Sequence, residues 1–245
     1  MVRTAAALVI GNELLTGKIQ EGNVAFLAER LFELGIALRR VVICADDEAA
    51  IVEELRALAA RHDWVFTSGG VGPTHDDLTV PAVAKAFGRR LVRDPALEAM
   101  IRAHWGERTT EGHLRMADLP EGGQLLSNEK IRWPILRVEN VLVMPGVPEI
   151  FRLKFELARE VLGAGEPFVT RAIYTRCDEG EIAALLERVE DEHPGVSIGS
   201  YPRVRDPEYT VKVTFDGRDE ATVRRALEAC LAELPPEKVV RAERD

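Results

Sequence analysis

The sequence predicts an α/β protein: a three-layer sandwich on a mostly parallel sheet, followed by a small ferredoxin-like βαββαβ module. Three observations carry that reading. Strand-like runs at Thr4 to Ile10, Ile36 to Ile43 and from Trp64 are each followed by a segment of helical period, and the first is continuously apolar, as in strands buried on both faces. Repeated strand–helix units imply right-handed crossovers and helices on both faces of a parallel sheet. Beyond Gly163-Ala164-Gly165-Glu166-Pro167, a glycine- and proline-rich boundary, the order of elements changes, which divides the chain into residues 1–165 and 166–245.

Thr4 to Ile10 ends at Gly11-Asn12-Glu13-Leu14-Leu15-Thr16-Gly17-Lys18-Ile19. This is not a Walker A loop: it has one residue too many between its glycines, and Ile19 stands where Ser or Thr would meet magnesium. Glu13 lies just past the strand's carboxyl end, where sites in open α/β sheets collect. From Asn23 to Leu34 the residues Val24, Leu27, Ala28, Leu31 and Leu34 share one helical face, and Gly35 closes the helix. The second strand feeds Asp46 and Asp47, ahead of a helix with Ile51, Leu55, Leu58 and Ala59 inward. One aspartate caps that helix, and the other is free to face a crevice. Ala50 rules out a full capping box if Asp47 is the cap.

The third strand enters the stretch that organises the chain, Ser68-Gly69-Gly70-Val71-Gly72-Pro73-Thr74-His75-Asp76-Asp77-Leu78-Thr79. Glycines at 69, 70 and 72 permit positive φ, so successive N–H groups can converge on an anion. Pro81 fits a first turn, so the next helix begins near Leu78 and carries Val80, Val83, Ala84 and Phe87 to Gly88. Two carboxylates beside an anion loop repel a phosphate unless a hard divalent cation intervenes, which makes Asp76 and Asp77 candidate metal ligands. The simpler account is that Asp77 or Thr79 caps the helix and the glycines only turn the chain.

Between Arg93 and Glu139 the periodicity weakens. Pro95 to Trp105 reads as helix, Leu114 to Leu119 as a short apolar piece, and Gln124 to Leu126 and Ile131 to Val138 as strands, a region suited to the rim of a site. His104, His113 and Arg115 could reach a ligand from there, although solvated or packing roles account for each more simply. A strand from Asn140 to Met144 then leads through Pro145-Gly146-Val147-Pro148-Glu149 into a helix to Leu162. Its N-terminus opens at the same sheet edge as the glycine turn, and two positive helix ends facing one crevice favour a pyrophosphate.

The second part reads as strand Phe168 to Thr175, helix Asp178 to Glu190, strands Val196 to Ser200 and Glu208 to Phe215, helix Asp219 to Leu234 and a short strand at Val239-Val240. Asp178 and Glu181 form a capping-box start and are structural. Gly199-Ser200-Tyr201-Pro202 reads as a turn.

Composition narrows the partners. A formal charge of −9 over 245 residues argues against general nucleic-acid binding. Cysteines at 44, 177 and 230 have neither disulfide nor zinc spacing, no apolar run reaches bilayer length, and the run from Ala5 to Ile10 is too short for a signal sequence. A cytoplasmic location follows as the simplest expectation.

The glycine-aspartate stretch, with Gly11-Asn12-Glu13-Leu14-Leu15-Thr16-Gly17 and Met144-Pro145-Gly146-Val147-Pro148-Glu149, resembles the amino-terminal domain of CinA proteins and the molybdopterin-binding-like domain of eukaryotic FAD synthases, both of the MoaB/MogA fold. The likeness spans most of the chain. It implies a nucleotide or pterin crevice, a homo-oligomer, and cleavage of a dinucleotide-like pyrophosphate such as ADP-ribose or FAD to release AMP, with magnesium, manganese or cobalt. Ser68, Gly69, Gly70, Gly72, Pro73, Thr74 and Gly146 would hold phosphate, Asp76 and Asp77 the metal, and Asp46, Asp77 and Glu13 would be catalytic. The alternative is a non-catalytic molybdopterin or nucleotide binder. Around Ser127 to Pro134 the chain departs from the Gly-Thr-Ala-Pro-Gly segment of CinA proteins towards the FAD-synthase pattern. No deamidase domain follows, so nicotinamide-mononucleotide deamidation is not implied.

Overall fold

The computed structural model describes residues 2–203 and 208–243. The chain divides into two compact units, residues 1–165 and 166–245. The first unit runs β1 (Arg3–Ile10), α1 (Asn12–Leu15), α2 (Asn23–Glu33), β2 (Ile36–Cys44), α3 (Glu48–Ala59), β3 (Trp64–Ser68), α4 (Thr79–Ala86), β4 (Leu91–Arg93), α5 (Pro95–Trp105), α6 (Glu111–Arg115), β5 (Asp118–Pro120), β6 (Gln124–Leu126), β7 (Ile135–Val138), β8 (Val141–Val143) and α7 (Pro148–Leu162). Six of these strands form one sheet in the order β2-β1-β3-β8-β7-β6. The first four are parallel, and β7 and β6 each run antiparallel to the preceding neighbour.

The pleat of β1 sorts the core into two layers. Ala6, Leu8 and Ile10 face Ile51, Leu55, Leu58 and Val83 of α3 and α4, while Ala5 and Ala7 face Leu27, Leu31, Phe151 and Phe155 of α2 and α7. On the second side Phe26 meets Phe155 edge-on at 5.6 Å and Phe66 stacks on Phe155 at 6.3 Å. Each fully buried phenylalanine contributes about 1.5–3 kcal/mol of transfer free energy. Helix starts follow the local chemistry: Asp47 Oδ1 accepts from Ala50 N at 2.9 Å at the head of α3, and Asp94 Oδ1 from Leu97 N at 2.8 Å ahead of Pro95 in α5.

Several local expectations are corrected. A one-turn helix, α1, occupies what reads as a loop, and its first amide, Asn12 N, is satisfied by Asp46 Oδ2 at 2.7 Å. Leu91–Arg93 pairs with Asp118–Pro120 as a separate two-stranded sheet, and α6 precedes it, in place of one short apolar piece. Ile131 lies outside β7, because Asn128 Oδ1 accepts from Ile131 N at 2.8 Å and folds the chain back before the strand begins.

The second unit contains β9 (Val169–Thr175), α8 (Glu179–Glu192), β10 (Val196–Pro202), β11 (Val211–Gly217), α9 (Glu220–Glu233) and β12 (Val239–Glu243). Its antiparallel sheet has the order β10-β11-β9-β12, and Ile182 and Leu186 of α8 and Leu227 of α9 pack with Val213 and Phe215 of β11 in one core. Asp178 and Glu181 make the full capping box at the start of α8. Gly199 to Pro202 is not a turn but the end of β10, paired through Pro202 with Val211; a proline is tolerated there because β10 is an edge strand. The following strand starts at Val211 and not at Glu208, and residues 204–207 lie outside the described residues.

Candidate functional site

Because β2, β1, β3 and β8 are parallel, the loops after them meet at one sheet edge. β2 and β3 flank β1 on opposite sides, so that edge opens between β1 and β3, at the reversal of strand order. A cleft of about 810 Å³ lies there. Glu13, Asp46, Ser68, Gly69, Gly70, Gly72, Thr74, Asp76, Asp77 and Gly146 all line it. Pro73 does not: its carbonyl is turned to Arg115 Nη2 at 3.3 Å.

The loop after β3 is built from its carbonyls outward. Thr79, fully buried at the start of α4, donates its hydroxyl to Gly69 O at 2.8 Å and its amide to Gly70 O at 3.0 Å. In a trans peptide the next N–H points opposite to the carbonyl, so the amides of Gly70 and Val71 are turned away from Thr79. Among the described residues those amides, and that of Gly72, donate to no protein acceptor, whereas Gly69 N donates to Met144 O at 3.3 Å. The turn demands glycine. Gly69 has φ 105° and a Cβ there would run into the Ile10 carbonyl of β1; Gly70 has φ 65° and a Cβ would strike the Thr79 hydroxyl. Gly146 brings the loop after β8 alongside, since a Cβ on it would stand 3.2 Å from the Gly69 Cα.

The acids separate into distinct tasks. Asp47 is the cap of α3, which leaves Asp46 to line the cleft while its Oδ2 holds Asn12 N. Asp77 caps nothing: α4 has Leu78 at its N-cap without side-chain help, and Asp77 Oδ2 instead accepts from the Thr74 amide at 2.8 Å and from the Thr74 hydroxyl. It thereby closes the loop on itself, and among the described residues its Oδ1 accepts no hydrogen bond. The neighbouring Thr74 side chain and its own backbone amide hold the exposed Asp76 carboxyl below its ordinary value. Glu21 also lines the cleft, and its carboxylate accepts from Asn23 N at 2.7 Å and Val24 N at 3.0 Å at the head of α2. Five carboxylates therefore surround the opening, although among the described residues no three His, Cys, Asp or Glu side chains converge as a preformed metal cage.

Besides Glu21, four contributors escaped the sequence reading. Asn23, only 4% exposed, donates from Nδ2 to Ser68 Oγ at 2.9 Å and Gly146 O at 2.8 Å, tying the loops after β3 and β8; its Oδ1 is buried with no partner. Its position in the row 23, 27, 31 of α2 was the available signal, a polar residue on the apolar face. Among the described residues Lys154 is the lone Lys or Arg that lines the cleft. Its Nζ donates to Pro134 O at 3.0 Å, and burial pushes its pKa down to about 8. Trp105 and Trp133 form one wall, with ring centroids 5.6 Å apart, and His104 lies beside both. His113 does not reach the cleft, because its Nδ1 completes the capping box of α6 with Thr110 and its ring stacks on Trp105.

Comparison with known proteins agrees with this architecture. Residues 6–163 match the model of the probable molybdopterin binding domain, and residues 167–243 that of the FAD synthase middle domain. A protein of Archaeoglobus fulgidus is 34% identical over 89% of this chain and 92% of its own length. A probable FAD synthase of Caenorhabditis elegans is 32% identical over 95% of this chain and 50% of its own. A CinA-like protein of Syntrophus aciditrophicus is 34% identical over 90% of this chain and 55% of its own, so the chain spans about half the length of these two relatives. The crystal structure of the protein CinA from Thermoplasma acidophilum superposes with a TM-score of 0.61 at 31% identity, over 66% of this chain and 99% of that one. The chain therefore belongs to the family of probable molybdopterin-binding domains, with CinA-like proteins and a probable FAD synthase among its relatives.

Proposed function

We propose that the protein is a metal-dependent nucleotide pyrophosphatase that cleaves a dinucleotide-like pyrophosphate, of the ADP-ribose or FAD type, and releases AMP. The observation that carries the reading is the set of uncommitted amides at Gly70, Val71 and Gly72, held in one cleft with the N-terminus of α7. Such donors suit phosphate oxygens, and each charge-assisted bond is worth about 1.5–3 kcal/mol. Five carboxylates against one lysine would repel a pyrophosphate that arrived without a counter-ion. An all-oxygen donor set fits a hard divalent cation such as magnesium, manganese or cobalt, with Asp76 and Asp77 as its protein ligands. The lack of a preformed cage among the described residues fits an ion that completes its shell with phosphate and water. When bound, such an ion would neutralise charge on the phosphate oxygens. Glu13 and Asp46 orient the water that attacks phosphorus, and Lys154 balances the charge of the leaving phosphate.

The test is incubation of the purified protein with ADP-ribose or FAD and each of the three metals, with AMP followed by chromatography. AMP release that needs both metal and Asp77 is the expected result. Saturable binding of nucleotide or molybdopterin without AMP would instead favour a non-catalytic binder, the alternative that the family match supports.

A further inference from the structure

We propose that Trp105 and Trp133 are the ring-binding subsite of this cleft, the wall on which a flat heteroaromatic group of the phosphorylated ligand stacks. The proposal rests on the nucleotide reading above and names the residues that would give it selectivity for a nucleotide over bare pyrophosphate.

Two of the three tryptophans come from distant parts of the chain, the end of α5 and the loop before β7, and meet at 5.6 Å with their planes 76° apart. Both are partly exposed and both line the cleft. Both also pack against the first core layer, and among the described residues neither indole N–H donates to a protein acceptor.

Each ring is held from behind. Trp105 is stacked on His113 at 4.6 Å, and His113 is locked by the Thr110 capping box. Trp133 sits between two anchored neighbours. Ile131 is buried in the core and fixed by Asn128, and the Pro134 carbonyl accepts from Lys154 Nζ at 3.0 Å. Two rigid aromatic faces at a cleft wall lose little conformational freedom when a ring docks. The link from Trp133 through Pro134 to Lys154 also sets the ring wall next to the cleft's cation, the order in which a nucleotide presents its ring and its phosphate.

The experiment is a titration of Trp64→Phe protein, in which all tryptophan fluorescence, excited selectively over tyrosine, comes from the two wall residues; Trp64 begins β3, at the far end of that strand from the cleft. AMP, FMN and neopterin are the ring-bearing probes, with inorganic pyrophosphate plus magnesium as the ring-free control. At least one ring-bearing probe should quench the signal strongly and pyrophosphate should not. Trp133→Ala and Trp105→Ala should weaken that probe by about 5- to 150-fold, the span of one stacking contact, while leaving pyrophosphate affinity, measured by calorimetry, within about twofold, and Trp133→Phe should restore most of the loss. Which probe responds tells adenine, flavin and pterin apart. Equal quenching by pyrophosphate, or alanine variants that bind every ring as the unsubstituted protein does, overturns the subsite and leaves the pyrophosphatase reading standing. Failure of pyrophosphate and all ring-bearing probes to bind overturns both.

Discussion

Replacing Asn23 by alanine tests whether the site is held by one buried amide. Asn23 Nδ2 donates to Ser68 Oγ at 2.9 Å and to Gly146 O at 2.8 Å. Alanine would leave the buried Ser68 hydroxyl and the part-buried Gly146 carbonyl without their donor. An orphaned buried polar group costs about 1–3 kcal/mol; the serine hydroxyl can rotate and the Gly146 carbonyl is part-buried, so the pair should cost about 2–4 kcal/mol. Removing the already unpartnered Oδ1 recovers a fraction of that. For a unit of this size each kcal/mol moves Tm by about 2–4 °C, so Asn23→Ala should lower it by roughly 5–12 °C. Asn23→Asp keeps the shape but sets a carboxylate against the Gly146 carbonyl, with only the Ser68 hydroxyl able to turn and donate to it, so it should be worse at pH 7 and partly recover at pH 5, where a protonated carboxyl can donate. Thermal denaturation by circular dichroism at both pH values reads this. Nucleotide affinity well below the transition reads whether the loops after β3 and β8 have parted. A Tm for Asn23→Ala within about 1 °C of the unsubstituted protein, with affinity unchanged, would refute the tie.

Asp77→Asn keeps an oxygen for the Thr74 amide and hydroxyl, so its Tm should stay within about 2 °C, as for most surface changes, while AMP release is abolished; a large fall in Tm with activity intact would make Asp77 only a loop staple. Gly69→Ala meets both a φ of 105° and the Ile10 carbonyl, so denaturant titration should show a loss beyond the roughly 1–3 kcal/mol of backbone strain alone. Lys154, with its pKa near 8, is charged below that pH and neutral above it. Pyrophosphate affinity measured by calorimetry should therefore fall as pH rises through about 8, and Lys154→Met should remove that step. The stability consequence has the opposite sense: the folded-state pKa lies below the ordinary 10.5, so burial disfavours the charged form, and stability should rise from about pH 8 to 10.5 in the unsubstituted protein but not in Lys154→Met.

Much of the site was legible because glycine, proline and aspartate at a strand end restrict the backbone locally. The Gly69-Gly70 turn, the first-turn place of Pro81 in α4 and the capping box of α8 are consequences of residues within a few positions of one another. The choice between Asp46 and Asp47 was not local. Asp47 bonds three residues ahead, but Asp46 is drawn to Asn12 across the neighbouring strand's end, a contact that exists only once β1 and β2 are in register. Asn23 and Lys154 each left a trace, a polar residue in an apolar helical row, yet the same trace fits a solvated helix edge.

By itself, then, the sequence determined the parallel α/β sandwich, the second βαββαβ module and the glycine-aspartate turn, since periodicity and backbone sterics act over a single turn or strand. Only the tertiary structure decided that Asp77 closes its own loop and does not cap α4, that Asn23 ties two loops 45 and 123 residues away, and that Trp105 meets Trp133 on the cleft wall. Those contacts join segments far apart in the chain, and their partners are chosen by how the layers pack, which no local pattern encodes.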